Sequence, residues 1–210
     1  MPYLTEGRIS YLEALRKHEG LPKGLIDSYA WHVAVWQAFP GKPNDSRDFL
    51  TRVDRTDDGY RLIILSQSAP IVPDWWGAGS WGTKEISSAY FGHSRYFFQL
   101  RANATKTFSA TRLRSGIFCP LELTEWLDRK GANGGFIVEQ ETLQVIPSGM
   151  DSFVRQGKRG FHSISDFKGV LQITNKEQFY QTVMQGVGRA KGFGCGMLMV
   201  VPLLTGNLPK

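Results

Sequence analysis

The apolar positions Tyr3, Leu4 and Ile9, set among polar ones up to Ser10, read as an opening strand. The polar stretch that follows, broken by Gly20, Pro22 and Gly24, predicts a loop. Asp27 or Ser28 can accept from the free amides of a helix's first turn, and Val35, Trp36 and Phe39 recur at helical spacing behind them. A helix over residues 29–39, stopped by Pro40-Gly41, is expected. Phe49–Arg55 and Tyr60–Gln67 read as two strands joined by Thr56-Asp57-Asp58-Gly59, a strong hairpin signal. Pro70, Pro73, Gly77, Gly79 and Gly82 then mark a long loop, the best boundary between two halves. Beyond it the pattern predicts a strand over 95–102, a helix over 123–130 ending at Gly131, and a strand over 136–146. A basic hairpin tip follows over 153–161, then a strand over 168–173. Thr174-Asn175-Lys176-Glu177 fits a capping box that opens a helix toward Gly186, and a last strand covers 197–204. Each half reads roughly β-α-β-β, with an extra helix and strand in the second, so the expected fold is α+β: two tandem ferredoxin-like (RRM-like) domains, residues 1–90 and 91–210.

Composition supports a packed chain: 210 residues, 41% hydrophobic and 21% charged. No apolar run approaches the roughly 18–20 residues of a membrane span. The N-terminus lacks a basic region followed by a long apolar core, and Cys119 and Cys195 sit in no metal-ligand spacing. A reducing cytoplasm is the expected compartment. Net charge is +6, and its distribution matters more than its size. Residues 151–210 hold eight Lys and Arg against three acids, and Arg101, Lys106, Arg112 and Arg114 follow one another without an acid between. Arg47, Arg52 and Arg55 instead mix with Asp48, Asp54, Asp57 and Asp58, an ordinary solvated surface. Basic runs interleaved with glycine and aromatics favour a polyanion track in the second half.

The densest signal is Gly186-Val187-Gly188-Arg189-Ala190-Lys191-Gly192-Phe193-Gly194-Cys195-Gly196, five glycines in eleven residues between a helix and a strand. Exposed amides in such a loop make a concave anion site. It is neither a Walker A loop nor a Rossmann fingerprint, which opens a helix rather than following one. This segment resembles the C-terminal glycine-rich signature of the RAMP superfamily of CRISPR-associated proteins, and most of all the CasE family, which processes CRISPR repeat RNA in type I-E systems. Other stretches are similar to the same family in order along the chain. They are Tyr29-Ala30-Trp31-His32 with Trp36-Gln37-Ala38-Phe39-Pro40, Arg47-Asp48-Phe49-Leu50-Thr51-Arg52, Pro73-Asp74-Trp75, Leu100-Arg101-Ala102-Asn103-Ala104-Thr105-Lys106, and Phe167-Lys168-Gly169-Val170-Leu171. Ala104 departs from a proline in the family pattern. The resemblance implies two ferredoxin-like domains, metal-independent endoribonuclease activity without a cofactor, and retention of the crRNA stem-loop in a Cascade-like complex with backbone and tail subunits.

Four histidines are present, and His32 shares a helical face with Tyr29 three residues earlier. A histidine moves protons near neutral pH. That suits RNA transesterification, in which the ribose 2′-OH is the nucleophile and the protein supplies positioning, proton transfer and charge stabilisation. The family places its histidine in a Tyr-x-x-His setting, so the resemblance gives the catalytic role to His32, as base, acid or both, and to Tyr29. His18, His93 and His162 have weaker settings. For RNA binding, Arg155, Lys158 and Arg159 offer three cations on the hairpin tip, suited to the closely spaced phosphates of an A-form stem. Arg101, Lys106, Arg112 and Arg114 extend that track, and Gly186, Gly188, Arg189, Lys191 and Gly194 form the glycine loop. Trp75, Trp76 and Trp81 either stack on bases or pin their loop to the core. A non-catalytic RNA-binding RAMP subunit is the alternative reading. A stand-alone RRM is disfavoured by the lack of an RNP1-like stretch.

Overall fold

Thr5, Gly7 and Ile9 turn inward along the first strand, β1 (Tyr3–Ser10), at the two-residue period of a strand. The computed structural model describes residues 1–16, 25, 27–41, 47–155 and 157–203. His18 and the loop expected around residues 20–24 lie outside them. The described residues form two compact units. Unit 1 holds those of Met1–Ile86 together with Ser152–Phe161 and Gly192–Gly194. Unit 2 holds Ser87–Asp151, His162–Lys191 and the described residues from Cys195 onward.

In unit 1, β1 leads into a short helix, α1 (Tyr11–Leu15), whose N-cap Ser10 accepts from the Glu13 amide. Then come α2 (Ser28–Trp36), β2 (Phe49–Arg55), β3 (Gly59–Ser66) and β4 (Ser80–Glu85). The four strands form an antiparallel sheet in the order β2-β3-β1-β4. The β2–β3 turn closes with Thr56 N–H donating to the Gly59 carbonyl at 2.9 Å. Helix α2 buries Ala30, Trp31, Ala34 and Val35 in a core with Ile9, Phe49, Leu62, Ile64, Trp75 and Trp76. Each large apolar side chain removed from water there stabilises the fold by about 1.5–3 kcal/mol. Trp31 meets Trp75 edge-on at 6.2 Å and Trp76 meets Trp81 at 5.0 Å. The Trp76 indole N–H also donates to the Ser80 carbonyl. Tryptophans 75 and 76 therefore pin their loop.

Unit 2 opens with β5 (Arg95–Ala102), followed by a small ribbon of β6 (Thr105–Thr107) and β7 (Arg114–Gly116). Next are α3 (Pro120–Gly134), β8 (Phe136–Val138), β9 (Gln144–Arg155), β10 (Lys158–Ile173), α4 (Lys176–Gln185) and β11 (Leu198–Pro202). The main sheet runs β11-β5-β10-β8, antiparallel where paired, and β9 pairs with β10. Tyr96, Phe98 and Leu100 from β5 are buried in its interior, as are Leu123, Leu127, Phe136, Phe167 and Phe179.

Five expectations need correction. Residues 11–15 are helical, not loop. The segment over 70–82 is not simply a linker, since it holds a 3₁₀ turn at Asp74–Trp76 and enters β4, paired with β1. Helix α3 continues past Gly131 to Gly134. The expected strand over 136–146 is interrupted by a 3₁₀ turn at Gln140–Thr142. Asn175, not Thr174, caps α4, its side chain accepting from the Gln178 amide.

Candidate active site

Asp27 starts the helix on which the candidate site is built. Its Oδ1 accepts from the Ala30 amide at 2.8 Å, satisfying one of the orphan donors of the first turn of α2. Its Oδ2 accepts from the Val154 amide at 3.1 Å, which joins the helix start to the hairpin tip within unit 1. Tyr29 and His32 stay half-buried while the rest of the helix turns its apolar face to the core. Their rings lie 6.3 Å apart. Phe193 stacks on both, 5.6 Å from His32 with 20° between the planes and 6.4 Å from Tyr29 with 29°. Phe153 packs on Phe193 at 4.7 Å, and Trp36 meets His32 edge-on at 6.4 Å.

Gly192 brings its backbone close to this stack. A Cβ at that position would stand 2.8 Å from Nη1 of Arg47 and 3.2 Å from both Nδ1 and Cε1 of His32. Arg47 and His32 thus flank one point. Burial holds the His32 pKa below the ordinary value of 6.5; the positive charges of Arg47 and Arg155 lower it further, and a hydrogen bond with the Gly192 backbone opposes them. The imidazole is accordingly neutral near pH 7, with a lone pair able to take a proton. Among the described residues no group of three or more His, Cys, Asp or Glu side chains could hold a metal ion.

The remaining candidates spread over several elements. Arg155, Lys158 and Arg159 are exposed on the tips of β9 and β10, flanking Gly157 at a φ of 74°. Arg101 pairs with Asp166 at 3.1 Å and Lys106 with Glu122 at 2.6 Å. The acid-free stretch of sequence therefore meets acids from elsewhere in unit 2. Arg112 and Arg114 are exposed on the β6–β7 ribbon. Gly186 caps α4 at a φ of 76°. Gly188, at a φ of 81°, backs onto Trp126, and Arg189 bridges to Asn103. The loop is further fixed by Val187 N–H donating to the Gly196 carbonyl and Gly196 N–H donating to that of Arg101, each at 2.7 Å. Lys191 opens a 3₁₀ turn through Phe193, and Gly194 follows at a φ of 81°. Sequence reasoning does not single out Arg47, Phe153 or Phe193. Arg47 reads as solvated surface because acids surround it in sequence; in the fold it is half-buried beside His32.

A neutral imidazole among cations and stacked rings can pass a proton next to an anion. This chain belongs to the CRISPR-associated protein family, whose model matches residues 3–202. It is 30% identical over 188 residues to the CRISPR system Cascade subunit CasE of Escherichia coli strain K12, covering 84% of this chain and 93% of that one. It is 34% identical over 196 residues to the CRISPR-associated endoribonuclease Cse3 of Thermus thermophilus, covering 86% of this chain and 92% of that one. A solved structure of the CRISPR endoribonuclease Cse3 bound to a 19-nucleotide RNA superposes with a TM-score of 0.81 at 22% identity, over 95% of this chain and all of that one.

Proposed function

We propose that this protein is a metal-independent endoribonuclease that cuts CRISPR repeat hairpins in precursor crRNA and keeps the 3′ stem-loop as a subunit of a Cascade-like complex. The observation that carries the reading is the half-buried His32 beside Tyr29 on α2, in a chain whose relatives are named as a CRISPR endoribonuclease and a Cascade subunit. In the reaction the ribose 2′-oxygen loses its proton and bonds to the adjacent phosphorus. The bond from phosphorus to the 5′-oxygen breaks, and that oxygen gains a proton. The products are a 2′,3′-cyclic phosphate and a 5′-OH. The substrate brings its own nucleophile, so in-line positioning, proton transfer and charge stabilisation are what remain for the protein. His32 carries a proton as base, acid or both, and Tyr29 orients the reacting ribose or its phosphate. Arg155, Lys158 and Arg159 hold the stem through phosphates, joined by Arg101, Lys106, Arg112 and Arg114. The loop of Gly186, Gly188, Arg189, Lys191 and Gly194 admits the RNA backbone.

The proposed architecture is two tandem ferredoxin-like domains, residues 1–90 and 91–210. The orders β2-β3-β1-β4 and β11-β5-β10-β8 support it, since each interleaves its strands as a split β-α-β unit does. In the first, the 3₁₀ turn at Asp74–Trp76 stands where the second helix would be. The setting is the cytoplasm, in keeping with Cys119 and Cys195 forming no disulfide.

The test is single-turnover cleavage of the matched repeat hairpin in EDTA. Wild type should cut and leave a cyclic phosphate. A deoxyribose at the cut site should stop it. His32→Ala should bind the hairpin and lose about 10²–10⁴ in rate, the usual worth of positioned acid–base catalysis. Near-normal cleavage by that variant would remove His32 from the mechanism, and cutting of the deoxy substrate would mean a water nucleophile.

A further inference from the structure

The arginines that pair along the two sheets each meet a carboxylate: Arg52 with Asp54, Arg61 with Glu6, Arg95 with Glu139, and Arg101 with Asp166. Arg47 differs. It is half-buried, its Nε is shielded from solvent without a hydrogen-bond partner, and no carboxylate among the described residues pairs with it. A guanidinium taken out of water without a counter-charge is unfavourable. Here it also stands against the one group whose protonation it opposes, since Nη1 of Arg47 and Nδ1 of His32 approach the same point beside Gly192. Among the described residues nothing offsets the placing of two cation-forming groups together in this way. An anion arriving between them would relieve both, and a phosphate matches the planar fork of a guanidinium with two oxygens at once.

We propose that Arg47 is a further catalytic residue of the cleavage site, its guanidinium holding a non-bridging oxygen of the scissile phosphate beside His32. The inference rests on the cleavage reading above. As the 2′-oxygen bonds to phosphorus, negative charge grows on the non-bridging oxygens. A fixed cation aimed at one of them, half-shielded from water, binds the transition state more tightly than the ground state. Histidine supplies the proton transfers, and arginine supplies the charge that a proton carrier at neutral pH lacks. The exposed Arg155, whose charge also reaches His32, is free to serve the stem instead.

The experiment compares wild type, Arg47→Gln and Arg47→Lys at saturating enzyme. Substrates are the repeat hairpin with an ordinary scissile phosphate and the same hairpin with sulfur in place of either non-bridging oxygen. Arg47→Gln should cut the ordinary substrate about 10²–10³-fold more slowly, the usual cost of removing one oxyanion donor, with hairpin affinity within a few-fold. Arg47→Lys, which keeps the charge and the packing of the stem, should recover part of the rate. Sulfur at one of the two positions should slow wild type, and that selective slowing should disappear in Arg47→Gln. Wild-type cutting with Arg47→Gln within threefold of it, or an identical sulfur effect in both, would overturn the role of Arg47 and leave the cleavage reading standing. A wild type that fails to cut the ordinary hairpin would overturn the cleavage reading and this inference with it.

Discussion

At position 192 the missing side chain decides how closely a backbone can approach Arg47 and His32. A methyl group there would meet the far end of a flexible arginine at 2.8 Å and the edge of the imidazole at 3.2 Å. The arginine can swing away at little energetic cost, so Gly192→Ala should leave the melting temperature almost unchanged. The displaced guanidinium and crowded ring should nonetheless lower the single-turnover rate at least tenfold, because misplacement of about 1 Å at a reacting centre costs up to about a hundredfold. A large loss of stability, or a rate equal to wild type, would mean that Gly192 serves only the turn. Tyr29 and His32 are legible in the sequence because i, i+3 spacing on a capped helix sets them on one face whatever the rest of the fold does. Arg47 and Phe193 are not. Arg47 sits in sequence among acids, yet none of the described ones pairs with it in the fold, and Phe193 looks like one apolar residue in a glycine-rich loop until the chain folds it onto α2.

The β9–β10 hairpin is the element that presents cations most openly. Arg155, Lys158 and Arg159 are all exposed at its tip, and the Val154 amide is held by the same aspartate that caps α2. Removing one cation that neutralises a phosphate should flatten the dependence of log K on log salt by roughly 0.7–0.9 unit. The triple alanine variant should therefore bind the repeat hairpin more weakly at every salt, with a shallower slope, and still cut at saturating enzyme. Filter binding across a salt series checks it. Unchanged affinity and slope would make the tip a solvated turn and move the phosphate-binding role to Arg101–Arg114. The hairpin is visible in the sequence as a glycine between basic strands, as is the Asp-Gly turn of β2–β3. Other elements are hidden for identifiable reasons. Helix α1 buries only Ala14 and exposes Leu12 and Leu15, so it shows no helical periodicity. Gly131 reads as a helix stop, yet helix α3 runs through it to Gly134, and at both positions a Cβ would crowd Phe136, which packs against that side. Strand β4 is an almost wholly exposed edge with a glycine in it, a pattern that looks like loop. The alternation over 136–146 conceals a turn because Thr142 Oγ1 accepts from the Val170 amide, a hydrogen bond to a residue 28 positions away.

Over the whole molecule, the net charge of +6 says that the chain suits a polyanion, while the half-buried histidines set how its stability responds to pH. His32 and His162 both have pKa values held below 6.5, in each case first by burial; a nearby Asp151 partly offsets the effect at His162. Unfolding returns both to their ordinary value. Between the lowered and the ordinary values the unfolded chain binds more protons than the folded one, so stability rises with pH across that window. Their contribution is fully present above about pH 6.5 and is lost as pH falls toward the folded-state values. Carboxylates act in a separate range. Glu6, lowered chiefly by its hydrogen bond from Arg61, contributes stability that is lost only below its ordinary 4.5. The melting temperature should thus fall between pH 7.5 and 5.5, and a His32→Gln, His162→Gln double variant, which cannot take up those protons, should fall by less over the same interval. Thermal unfolding of the two proteins at closely spaced pH values measures the difference. Parallel curves would show that neither histidine is protonated more readily on unfolding. The neutral His32 on which the cleavage chemistry rests would then need another cause than burial beside Arg47.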